Sequence, residues 1–146
     1  MKRKIVSGLL CAVSCCLTAF AVGCNEKNGE WEYQITKNLS GENIRVEITV
    51  AEAPDEATLL DVMNKAKENG DLSFEMAGTM VASIEGIAND IDYNPCWMLY
   101  TTDDELSNTE WGTVTMEDEV LGSAILGADA LPVEEGESYV WAYCEF

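Results

Sequence analysis

The chain has 146 residues, of which 27 are acidic and eight basic, and its formal net charge is −19. A field of that sign repels nucleic acid and anionic lipid headgroups, which argues against both as partners. There is no histidine to serve as a base near neutral pH. The sequence also lacks a nucleophile elbow, a glycine-rich phosphate loop and metal-ligand spacing. The carboxylates are so many that no pair stands out for acid–base work. These absences argue for a non-catalytic protein.

Residues 1–23 read as a signal peptide. Lys2, Arg3 and Lys4 form a basic start, and Ile5 to Val22 is uncharged and mostly apolar. The segment ends in Ala21-Val22-Gly23-Cys24, which looks like a bacterial lipobox, with Cys24 as the lipidated residue. An ordinary secretory signal or a single membrane anchor is the competing reading. The polar run 24–30 reads as a tether, and two acyl chains on Cys24 give stable anchoring to the membrane. The expected location is extracytoplasmic, lipid-anchored to the cell membrane. Cleavage would remove Lys2, Arg3 and Lys4 with no acid, taking the net charge to −22. The remaining 123 residues suit a single domain over residues 31–146.

Trp31 to Thr36 alternates apolar and polar, as a strand with one wet face does. Asn38 to Asn43 is a turn region, and Ile44 to Val50 alternates more regularly, so the two stretches predict a hairpin. Ile44, Val46, Ile48 and Val50 face the core in this reading, and Arg45, Glu47 and Thr49 face water. Ala53-Pro54-Asp55 breaks the strand. Thr58 and Asp61 then fit a capping box, Leu59, Val62, Met63 and Ala66 recur at helical spacing, and Asn69-Gly70 ends the helix. Leu72 to Met76 and Met80 to Ile84 alternate on either side of Gly78, as two short strands or one bent strand. Ile87 to Pro95 reads as a polar loop.

Cys96 to Thr101 is a strand rich in large side chains. An acidic excursion runs from Trp111 to Glu119, followed by a short strand at Ser123 to Leu126 and a turn at Ala128 to Pro132. Tyr139 to Phe146 is aromatic and β-branched, which predicts a strand docked inside the sheet against Cys96 to Thr101. The expected fold is α+β, a β-grasp-like mixed sheet of five strands with one helix packed on one face.

Pairing those two strands antiparallel sets Cys96 near Cys144, and a disulfide between them is permitted outside the cytoplasm. Two buried free thiols are the competing reading. Zinc is not expected, because two thiols without histidine leave too few soft ligands. Asp90, Asp92 and Asn94 alternate like the opening of a calcium loop, but Pro95 stands where such a loop needs glycine, so a solvated turn fits better. Parity puts Trp97 with Tyr139, Trp141 and Tyr143 on one face of the sheet. If the helix covers the other face, these aromatics form an open ligand platform.

Three stretches carry a resemblance: Asp92 to Thr101, Gly122 to Gly127, and Leu131 to Tyr143. Together with Thr58-Leu59-Leu60-Asp61-Val62-Met63, they resemble the transcobalamin-like C-terminal domain family, over residues 44–146. The family occurs in bacterial surface proteins and lipoproteins. In vitamin B12 carriers a similar β-domain closes over the corrin. The resemblance implies a binding module for a corrinoid-like or other small ligand. A protein–protein interaction module of the cell surface, docking a surface protein and holding no small ligand, is the alternative.

Overall fold

The computed structural model describes residues 30–146. The signal segment, the lipobox with Cys24 and the tether as far as Gly29 lie outside those residues.

The first two strands are β1 (Glu32–Asn38) and β2 (Arg45–Glu52), the hairpin that alternation predicts. Tyr33 lies opposite Val50 and Ile35 opposite Ile48. Val46, Ile48 and Val50 are buried on one face. Arg45, Glu47 and Thr49 are half-buried on the other, so that face is not simply wet.

The helix, α1 (Leu59–Glu68), follows. The Asp61 amide donates to Thr58 Oγ1 at 3.3 Å, and the Thr58 amide donates to Asp61 Oδ2 at 2.9 Å. This reciprocal pair satisfies two otherwise orphaned amides. The turn at 127–131 satisfies two more, because Leu59 N donates to Leu131 O and Leu60 N to Ala128 O. Gly70 takes a φ of 81° just past the helix, a conformation that glycine adopts without strain.

Three short strands come next: β3 (Phe74–Ala77), β4 (Met80–Ile84) and β5 (Ile87–Ala88). They form their own three-stranded sheet, with a turn at Gly78 between β3 and β4. The remaining strands are β6 (Cys96–Thr101), β7 (Ser107–Met116), β8 (Glu119–Ala124) and β9 (Ser138–Cys144). The main sheet has six strands in the order β1-β2-β9-β6-β8-β7.

Among the described strands every pairing is antiparallel, which corrects the expected mixed sheet. The reason lies in the turn before β9. Val50 N donates to Glu137 O and Gly136 N to Val50 O, so β9 starts where β2 ends. The sheet has six strands rather than five because the acidic stretch around Trp111 belongs to β7.

The last strand docks centrally, between β2 and β6. One face of the sheet packs on α1 and the three-stranded sheet. That core joins Val46, Ile48, Leu99 and Trp141 to Leu59, Met63, Phe74 and Ile84. On the opposite face Tyr100, Leu121, Val140 and Ala142 form a smaller core, with Met98, Val114 and Met116 against it. The chain thus has an α+β architecture: the helix and the small sheet pack on one face of the main sheet, and the β7–β8 end of that same sheet curls over its other face.

Candidate ligand-binding groove

The aromatic residues singled out above lie under the helix layer, not in the open. Trp97, Tyr139 and Trp141 are 5%, 0% and 6% exposed. Tyr143 is half-buried, with its ring centroid 5.2 Å from that of Trp97. This corrects the expected platform of Trp97, Tyr139, Trp141 and Tyr143. The aromatic face offers the most apolar area per residue, so covering it with the amphipathic helix gains more than covering the opposite face.

Their polar atoms are used structurally. Trp97 Nε1 donates to Ile87 O at 2.7 Å, and Tyr143 Oη donates to Ala88 O at 2.6 Å. The two donors hold β5 in place, where the sequence suggested only loop. Tyr139 Oη accepts from Glu134 N at 2.9 Å and bolts down the turn before β9. Burial pushes the Tyr139 phenol up to about 12. Tyr33 is also pushed up to about 12, by burial first, within a cluster where it donates to Asp71 and accepts from Asn69. Trp141 Nε1 is buried with no hydrogen-bond partner among the described residues.

The register brings Cys96 opposite Cys144. Trp97 N points away from β9, to Asn89 Oδ1, so Cys96 occupies a hydrogen-bonded position of the ladder. Directly opposed residues there stand about 5.5 Å apart at Cα, within disulfide range. The two thiols are unbonded in this structure. Cys96 is buried, which raises its pKa, and the neighbouring Cys144 raises it further. Tyr100 Oη lies 3.7 Å from Cys144 Sγ, and burial, then that contact, raise the phenol.

Asn94, a member of the calcium-loop pattern, is spent on the chain terminus. Its Oδ1 accepts from Phe146 N at 2.8 Å and its Nδ2 donates to Phe146 O at 3.2 Å. Tyr93 N and Asp90 O close the loop as a turn at 2.9 Å.

A concavity opens on the far side of the sheet. The β7–β8 hairpin is irregular, because Asn108 pairs with Ser123 and Thr113 with Gly122, which leaves the four residues between them bulged out. A bulge of this kind bends its strand. β7 passes Tyr100 at Gly112, whose φ of 140° needs glycine. Arg45 Nη1 then donates to Thr115 O at 3.4 Å. β2 and β7 stand four places apart in the strand order, so this bond shows the sheet coiled back on itself. Between them lies an open groove of about 920 Å³. Ala142, Cys144 and Val114 line its floor side, and Glu42, Arg45 and Glu145 contribute charge.

Sequence reasoning missed this groove because it treated 111–119 as a loop and Arg45 as a wet-face residue. One signal was available: Arg45 is the sole arginine after Arg3 in a strongly acidic chain. The groove offers a mixed-charge lining without a metal cluster among the described residues. The hollow has room for a small molecule. No protein-family model matches the chain, and neither a curated protein nor a solved structure does.

Proposed function

We propose that the protein is a lipid-anchored, extracytoplasmic binding module of a bacterial cell surface, which holds a small ligand without converting it. The observation that carries this reading is the open groove of about 920 Å³ between the hairpin and β9. Its size matches sites for small molecules, which span roughly 300–1,000 Å³. The lipobox-like Ala21-Val22-Gly23-Cys24 supports the anchor. The likeness of residues 44–146 to transcobalamin-like C-terminal domains supports a corrinoid-like or related ligand. The β-grasp likeness, a sheet holding one helix on one face, belongs to the same proposal.

A thermal-shift screen of the full chain in detergent tests it, against corrinoids, tetrapyrroles and divalent cations. A compound that binds should raise Tm, and Val114→Trp, which fills the groove, should cancel the rise. If no compound raises Tm, the groove does not take ligands of these classes; if Val114→Trp leaves the rise intact, the groove is not where they bind. For the anchor, Cys24→Ala should move the protein out of the membrane fraction; retention in the pellet at the wild-type level would refute lipidation.

A second reading, an interaction module without a small ligand, is favoured by a different observation. Met80, Ile91 and Tyr93 are 55%, 88% and 57% exposed and surround one shallow apolar hollow. Apolar groups clustered in water mark contact surfaces. Loss of partner capture on Ile91→Asp, with ligand binding at the groove absent, would favour it.

A further inference from the structure

The described residues hold four cations, and three of them are engaged elsewhere. Lys37 pairs with Glu85 at 2.8 Å. Lys65 lies 3.8 Å from Glu68. Lys67 donates to Phe74 O at 2.8 Å and sits over the Phe74 ring. Arg45 is the exception: among the described residues its guanidinium meets no carboxylate within ion-pair distance, only Thr115 O. It is half-buried and lines the groove of about 920 Å³. In so acidic a chain, a guanidinium left without a carboxylate is unexpected on electrostatic grounds. Its planar fork of donors suits a carboxylate or phosphate oxygen pair.

Glu42 and Glu145 line the same groove, and both are exposed. A simple anion would meet them and the net negative field together. A ligand carrying both signs meets neither objection. Its oxyanion would sit on Arg45, and its ammonium would face the two carboxylates.

We infer that the groove takes small zwitterions, of which a short peptide with free termini is the simplest, with Arg45 receiving the carboxylate and Glu42 and Glu145 the ammonium. This rests on the groove being a ligand site, as proposed above. The three charges come from two distant pieces of chain: Arg45 at the start of β2 with Glu42 in the turn just before it, and Glu145 just past the end of β9. Only the folded chain brings them to one hollow.

The test is calorimetric titration of the full chain in detergent at low salt. The probes are lysyl-alanyl-alanine, its C-terminal amide, and inorganic phosphate. The free peptide should bind, the amide about tenfold or more weakly, and phosphate not measurably, since the amide gives up the charge-assisted contact to Arg45. Arg45→Gln should remove the difference between peptide and amide. Glu42→Gln with Glu145→Gln should weaken the peptide and let phosphate in. Peptide and amide binding equally, Arg45→Gln binding as wild type does, or no binding of the peptide at all would each overturn the inference. If corrinoids or tetrapyrroles still bind and Val114→Trp abolishes that binding, the groove stands and only the zwitterion assignment falls.

Discussion

The two faces of β9 are built differently, though the strand is continuous. On the helix side stand Tyr139, Trp141 and Tyr143, covered by α1 and by β5, whose carbonyls the aromatic donors hold. On the other side stand Val140, Ala142 and Cys144, and the cover is the coiled β7–β8 hairpin. Large side chains demand a thick layer, and here they use both a helix and a second sheet. Small side chains let a hairpin approach closely but leave it little to grip. The result is a well-filled core on one side and an incompletely filled hollow on the other. Binding sites are commonly such places, since a fully packed interior leaves no room for a ligand.

The largest expected effect probes that contrast directly. Trp141→Ala should cost about 3–5 kcal/mol of stability, as truncations of large buried aromatics do. Met98→Ala, half-buried on the groove side, should cost only about 1–2 kcal/mol. Urea unfolding of both variants measures the difference. Should Trp141→Ala prevent folding, Trp141→Phe provides a milder comparison. Equal costs for the two positions would mean that the faces are packed alike.

A comparable effect is expected from the cysteine pair, which joins β9 to β6. Treatment with oxidised glutathione should form the Cys96–Cys144 bond, with two glutathione thiols released. Closing that loop should stabilise the domain by about 4 kcal/mol in the chain-entropy model. A rise in Tm that dithiothreitol reverses, with loss of two titratable thiols, is the readout. If both thiols still titrate after oxidation, the pair does not close.

The smallest effect is in alkali and concerns the helix side. Tyr33 and Tyr139 keep their protons to about 12 in the folded chain because they are buried. Unfolded tyrosine ionises near pH 10. Between about pH 10 and 12 the unfolded chain has therefore lost protons that the folded chain still holds, so stability is full below this window and falls as pH rises through it. Tm measured from pH 8 to 12 should decline there, and less steeply in Tyr33→Phe and Tyr139→Phe. A decline unchanged in both variants would show that these phenols do not titrate with unfolding.

Much of this was legible before the fold was known. The Thr58–Asp61 capping box, the apolar stripe of α1, the β1–β2 hairpin and the limits of β6 follow from residue spacing, because each depends on neighbours a few positions away. The pairing of β6 with β9 was legible too, from shared composition, and with it the nearness of Cys96 to Cys144. β7 was hidden because Glu110 and Gly112 interrupt its alternation at the bulge. β5 was hidden because two residues carry no period, and its position depends on Trp97 and Tyr143.

What residue order alone determined is the periodicity: which side chains share a face, where α1 starts and stops, and how strongly acidic the surface must be. Which face the helix covers was left to the tertiary structure, because parity assigns residues to sides without naming the sides. That choice buried Trp97 and Trp141 and left Arg45 beside an open groove, by matching the larger apolar area to the larger cover.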